Sequence, residues 1–291
     1  MRVADLYARS RPVFSFEFFP PRTRKGADSL LRTTKELARL RPDFVSVTCP
    51  LEKQRRPDTI ALVIQIKREL GIEAVAHLVT VGYDRREMAE VLEQLRRGGV
   101  ENVLALRGDL PEGTHPDTPR DFLHGADLVR FVHDFGGLCV GGAAHPEMHP
   151  ESSNWEDELR YARAKVEAGC EFLVTQLFFD NRDFFRYVER ARAEGIGVPI
   201  VPGIMPVDSV PGIKRMAGMN HNRIPADFLA ELEAVADDPP AVHALGVRYA
   251  TVQCEELLAR EVPGIHFYTL NRSTATREIL TRLRERGAAP D

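Results

Sequence analysis

Cysteine, tryptophan and long apolar runs are all scarce in this chain. Its 291 residues hold four cysteines and one tryptophan. Cys49, Cys139, Cys170 and Cys254 form no CxxC pair, which excludes a thiolate zinc ribbon and a redox dithiol. Three of them sit in apolar segments, where a free thiol packs as a small hydrophobe. Cys49 follows a strand-like run, but a reactive thiolate also needs an electropositive setting. No stretch approaches the roughly 20 apolar residues that span a bilayer, and MRVADLYARSRP lacks the apolar centre of a signal peptide. A cytoplasmic protein with no membrane role is expected, in which the Asn271-Arg272-Ser273 sequon would never meet glycosylation machinery. Positive charge is not in excess either. Lys and Arg number 39 against 43 Asp and Glu, a net charge of -4, which argues against a nucleic-acid-binding surface. Glycine-rich nucleotide motifs are missing too: Gly195-Ile196-Gly197 lacks a third glycine and precedes a strand, and there is no Walker A sequence. Any nucleotide must therefore be held by other means.

What the chain does have is alternation. Short apolar runs rich in Val, Phe and Leu recur at 13–19, 44–48, 74–80, 102–108, 138–144, 172–179, 199–205 and 265–270. Between them lie amphipathic stretches such as REMAEVLEQLRRGG and WEDELRYARAKVEAGC, several ending in the glycine that helix C-termini prefer. Eight strands separated by helices predict an α/β fold of the (βα)₈ TIM-barrel type. No change in composition marks a linker, so a single domain over 1–291 is expected, with extra helices at roughly 207–262 before the last strand.

The C-terminal ends of barrel strands form the face where active sites lie. In order, those ends supply Glu17, Thr48, His77, Arg107-Gly108-Asp109, His145, Gln176 and the stretch Tyr268 to Arg272. Glu17 lies among Phe16, Phe18 and Phe19. A carboxyl group among aromatic rings is shielded from water, which favours its neutral form and suits general-acid work. Strand alternation places Glu17 on the face of Ser15 and Phe19; the alternative is an outward glutamate paired with a helix cation. Asp109 after Gly108 reads equally as a capped turn and as a site residue. Two histidines and a glutamate in His145-Pro146-Glu147-Met148-His149 invite a metal test, but Pro146 and Pro150 disrupt the helical i, i+4 display, and no metal is expected. Gln176 interrupts LVTQLFF with an amide able to donate and accept at a heterocycle edge, or to satisfy nearby backbone. Lys53-Gln54-Arg55-Arg56 is either a solvated loop or an anion site.

Taken together, FSFEFFPPRT, FVSVT, AHLVT, NVLALRGDLP, HPEMHPE, VTQLFFD, PIVPGIMP and HFYTLNRS resemble the methylenetetrahydrofolate reductases over nearly the whole chain. The resemblance implies a (βα)₈ barrel that binds FAD without a Rossmann motif and works in one-carbon metabolism. It implies that NADH or NADPH reduces the flavin, and that reduced flavin then passes hydride to methylenetetrahydrofolate in ping-pong order. Glu17 then matches the catalytic acid and Asp109 an aspartate beside flavin and pterin. Gln176 and Arg272 match substrate-contacting positions. Thr48, His77, Arg107, Gly108, His145, His149, Glu158, Tyr161 and Lys165 match the cofactor-binding set. Family members commonly form homo-oligomers, so one is expected here, with a small-molecule folate as ligand. The chain departs from the family at Cys49–Arg56, where a Gly-rich turn is usual, and at His145, Gly212 and Met216. The departures leave two alternatives open: a flavin-free reductase with direct hydride transfer, and a non-catalytic folate-binding subunit.

Overall fold

A computed structural model describes the chain except for residues 51, 111–112, 114–117, 119, 273 and 290–291. Ser273 of the sequon and the Leu51 position of the altered loop thus lie outside the described residues. Nine parallel strands form one sheet: β1 (Val13–Phe18), β2 (Phe44–Val47), β3 (Ala74–Val79), β4 (Asn102–Leu106), β5 (Cys139–Ala144), β6 (Phe172–Thr175), β7 (Ile200–Val201), β8 (Gly203–Ile204) and β9 (Gly264–Tyr268). Each pairs with its sequence neighbour up to β7, β1 pairs with β9, and β9 pairs with β8. The ring closes through 200–204, where the expected seventh strand is split at Pro202. Proline has no N–H to give a ladder, but its carbonyl accepts from His266 N–H at 3.0 Å. Nine strands therefore amount to the eight-stranded barrel expected, with one member broken by an imino acid.

The helices follow from the sequence locally. Helix α1 (Val3–Leu6) precedes the barrel, and α2 (Arg24–Ala38), α3 (Arg56–Gln65), α4 (Arg85–Arg97), α5 (Gly125–Phe135), α6 (Trp155–Glu167) and α7 (Asn181–Ala193) join successive strands. Asp84 and Glu87 form a reciprocal capping box at α4. Asn154 caps α6 by accepting from Asp157 N–H. The insertion before the last strand folds as α8 (Val210–Asn220), α9 (Ala226–Ala234) and α10 (Pro239–Ala259), and α11 (Thr274–Glu285) follows β9. The helices of that insertion pack Ile213, Ala217, Phe228, Leu232 and Val242 against Leu177, Phe179 and Met205. No helix among the described residues is long and apolar enough to cross a membrane.

Alternation along the strands sorts the barrel into layers. Phe14, Phe16 and Phe18 join the apolar layer beneath the helices. Val13 turns inward and meets Phe44, Val75, Leu104, Cys139, Phe172 and Val201, with Val3 and Leu6 of α1 plugging that end. Space there is tight. A Cβ on Gly141 would sit 2.4 Å from the Phe172 ring. Higher up, Gly203 admits Tyr268, whose hydroxyl donates to the Thr175 carbonyl at 2.5 Å.

An added Cβ at Gly203 would approach the Thr175 carbonyl oxygen at 2.4 Å and Tyr268 Cε2 at 2.5 Å. Overpacking of this kind typically costs about 1–3 kcal/mol. Gly203→Ala is expected to lower the urea midpoint accordingly, whereas Gly197→Ala, with open space around it, is expected to lower it far less.

Candidate active site

Two residues above the apolar plug, the inward positions turn polar. Ser15, Ser46, His77 and His266 are all buried, and Glu17 is 5% exposed. Register explains the gathering: Ser15 lies beside His266, and Glu17 lies between Ser46 on one side and Tyr268 on the other. Glu17 Oε2 stands 3.5 Å from His77 Nε2 and 3.6 Å from His266 Nε2. Ser15 Oγ holds His266 Nδ1 at 2.7 Å, and Ser46 Oγ lies 3.4 Å from Nε2 of the same ring. His266 is also stacked on Phe44, with centroids 6.1 Å apart and planes at 19°. Thr269 Oγ1 donates to the Glu17 carbonyl at 2.5 Å, fixing the backbone beneath the carboxylate.

The inward direction of Glu17, shared with Ser15, agrees with the alternation. The reason given for its shielding does not. Phe16 and Phe18 point into the outer core, because successive residues of a strand face opposite ways, and Phe19, beyond the strand, is 38% exposed. Water is kept from Glu17 by imidazoles and Tyr268, not by its phenylalanine neighbours. His77 lies within β3 rather than at its tip, and its Nε2 has no hydrogen-bond partner among the described residues. Burial lowers the His77 pKa to about 4, against an opposing pull from Glu17, so the ring is neutral at pH 7.

The remaining predicted residues line the rim. Thr48 follows β2, its N–H held by the Phe18 carbonyl and its own carbonyl accepting from Thr59 Oγ1 at 2.6 Å. Arg107, Gly108 and Asp109 follow β4. Gly108 has a φ of +81°, which a side chain would strain, and an added Cβ would meet Val79 at 3.0 Å. Asp109 is exposed. Arg107 forms a two-pronged pair with Glu151, at 2.5 and 2.8 Å. His145 Nδ1 lies 3.2 Å from Glu158, which also accepts from His149 N–H and Ser152 Oγ. Burial alone would raise the Glu158 pKa, but those hydrogen bonds and the His145 charge hold it down to about 2. Burial, reinforced by His145, lowers His149 to about 4. The two rings meet edge-on at 4.9 Å. Lys165 donates to the Ala143 carbonyl at 2.6 Å, with its pKa lowered by burial. Tyr161 stays exposed beside His124.

Two predicted residues stand apart. Gln176 follows β6, but its amide bonds Asn220 of α8 at 2.8 Å and its own neighbour Leu177 N–H at 2.8 Å. Arg272 is largely exposed, 3.7 Å from Asp208. The basic loop is mostly engaged: Lys53 bonds Glu87, and Arg56 is buried against the Pro50 and Val81 carbonyls and the Tyr83 ring. Burial raises the Cys49 thiol to about 11, which does not suit a reactive thiolate. Strand ends alone do not single out Ser46 and His266, and they include Asn271 only as part of the stretch Tyr268 to Arg272, with no role of its own. The first two were recoverable from parity, since His266 lies two residues before Tyr268. Asn271 was not. In the left-handed region at φ 59°, it accepts from Phe19 N–H and donates to the Phe19 carbonyl, tying the end of β1 to the turn after β9.

Fold and site define a parallel (βα)₈ barrel with a buried carboxylate and two imidazoles at the mouth, ringed by polar strand ends. The chain belongs to the methylenetetrahydrofolate reductase family. The family's sequence model matches residues 2–284. The chain is 36% identical to a 5,10-methylenetetrahydrofolate reductase of Pectobacterium carotovorum, covering 95% of this chain and 91% of that protein. It is 33% identical to an Arabidopsis thaliana methylenetetrahydrofolate reductase (NADH), across 97% of this chain. This chain spans about half the length of that plant relative, 50%. In fold it is similar to a Clostridium thermocellum protein described as binding two copies of 5-methyl-5,6,7,8-tetrahydrofolic acid, with TM-score 0.65, 16% identity and 99% of each chain covered.

A histidine held neutral in the folded state binds a proton more readily once unfolded. Between pH 6.5 and about 4 the unfolded chain therefore carries the extra proton on His77, and stability falls as pH falls through that window. The contribution is on the order of 3 kcal/mol. His77→Gln is expected to flatten the dependence of unfolding free energy on pH between 6.5 and 4. A slope unchanged from wild type would contradict this assignment.

Proposed function

We propose that this protein reduces 5,10-methylenetetrahydrofolate to 5-methyltetrahydrofolate, with a pyridine nucleotide as the source of hydride. The observation that carries the reading is Glu17, buried at the barrel mouth between His77 and His266 in a chain of this family. The substrate's methylene carbon bridges two nitrogens. Protonation of one nitrogen opens the five-membered ring, hydride addition at the carbon then yields the methyl group, and one hydride and one proton balance the product. Glu17 is the proton donor. Neutral His77 and the serine-anchored His266 orient its carboxyl group and exclude water from it. Thr269 keeps its backbone in place. Asp109, exposed at the rim, interacts with the heterocycle in this reading, and Arg272, exposed beyond β9, is suited to a substrate carboxylate. Gln176 takes part by exchanging its Asn220 bond for a pterin edge. A cytoplasmic homo-oligomer is the form we expect.

A flavin dinucleotide fits the rim in several respects. Among the described residues His77 Nε2 is buried without a hydrogen-bond partner, the Gly108 backbone is bare of a side chain, Tyr161 offers an exposed ring, and Arg107 offers a guanidinium once Glu151 yields it. Thr48, His77, Arg107, Gly108, His145, His149, Glu158, Tyr161 and Lys165 would hold the group, with Glu158 orienting His145 and Lys165 fixing the end of β5 through Ala143. A bound flavin supplies the relay of hydride from nicotinamide to folate, in ping-pong order. One observation favours the flavin-free alternative: Arg107 and Lys53, two cations suited to a diphosphate, are already paired with Glu151 and Glu87. The visible spectrum of purified protein separates the readings. Bound flavin gives bands near those of free FAD, whereas a colourless protein that turns over methylenetetrahydrofolate with NADH or NADPH indicates direct transfer.

Glu17→Gln keeps the shape and loses the proton. Folate reduction is expected to fall roughly 10²–10⁴-fold, the usual scale for general acid catalysis, while the folded state and nucleotide affinity change little. A variant within a factor of a few of wild type in folate turnover would sink the proton-donor role.

A further inference from the structure

The Arg107 guanidinium at the rim is occupied by a carboxylate of the chain itself, that of Glu151. The guanidinium is fixed in the wall, 18% exposed, with Nε 3.3 Å from the Gly108 carbonyl, while the Glu151 side chain that occupies its fork is 49% exposed. The pair meets prong to prong at 2.5 and 2.8 Å, the geometry a guanidinium offers equally to carboxylate and to phosphate. Arg107 stands at the C-terminal end of β4, on the face where barrels bind ligands. Tyr161 is partly exposed, with His124 at 5.6 Å and the Arg160 guanidinium 5.0 Å from its ring, an aromatic surface on which a nucleobase can stack.

Glu151 is tethered lightly. Its N–H donates to His149 Nδ1 at 3.1 Å, and Ser152 N–H closes the turn on the His149 carbonyl. The bonds of this turn are made by backbone groups and the His149 ring, so the Glu151 side chain can swing away from Arg107 while the turn stays as it is. Glu158, buried in the first turn of α6, holds the base of that turn through His149 N–H and Ser152.

We propose that Glu151 is an internal competitor for the diphosphate of a dinucleotide, which must displace it from Arg107 to bind along the rim with its base on Tyr161. The inference rests on the reductase reading for the class of ligand, a flavin or a nicotinamide dinucleotide, but not for its test. Glu151→Gln keeps the length and removes the competing charge. At fixed ionic strength, fluorescence titration with FAD and separately with NADH is expected to show at least one dinucleotide binding about tenfold more tightly to E151Q than to wild type. Inorganic pyrophosphate is expected to compete, and the gain to vanish in the double variant R107M/E151Q. A gain confined to FAD or to NADH identifies which dinucleotide uses Arg107. Equal or weaker binding of both by an E151Q protein with wild-type circular dichroism overturns the proposal, as does a gain that survives loss of Arg107. Tighter dinucleotide binding in a protein that reduces no methylenetetrahydrofolate would retire the reductase reading and leave Glu151 as a competitor.

Discussion

The structure turns on a carboxylate placed inside a barrel. Glu17 is held in a buried layer of hydroxyl and imidazole groups directly above an apolar plug. A polar group left without partners is expensive to bury, so its neighbours are constrained in turn. His266 must be anchored by Ser15, Gly203 must be small enough to admit Tyr268, and Thr269 and Asn271 must tie the end of β1 to the last strand. Each demand falls on a different segment, and parallel register satisfies all of them by setting Ser15 beside His266 and Glu17 beside Tyr268.

A second economy governs the rim. Ionisable groups there are matched in pairs, Arg107 with Glu151, His145 with Glu158 and Lys53 with Glu87. Pairing means that a ligand must compete with the protein for its own side chains. The loop after β2 acts in the same direction: it carries Lys53 and a buried Arg56, both committed to internal partners. Affinity at such a site depends on exchange of ion pairs as much as on contacts made.

Much of the fold was legible because its signals are local. Apolar runs of strand length separated by amphipathic stretches with capping residues mark βα units wherever they end up, and eight of them close into a barrel. The split of the seventh strand followed from Pro202, visible in PIVPGIM but readable as a break only once β6 and β9 were seen to share that segment. Polar residues at strand ends likewise announced Glu17, Thr48, Asp109 and Gln176. What misled was adjacency: Phe16 and Phe18 flank Glu17 in the chain and turn their backs to it in space. Gln176 was legible as an amide in an apolar run, but its bond to Asn220 spans 44 residues and has no signature in either segment.

The sequence by itself determined the (βα) alternation, the inward direction of Glu17 and the family to which the chain belongs, since period-two patterning and motif order are properties of neighbours along the chain. Tertiary structure alone decided what surrounds Glu17, that Arg107 is already occupied, and that Asn271 ties the closing strands together. Those facts depend on register between strands far apart in sequence, and only the closed ring brings them within hydrogen-bonding distance.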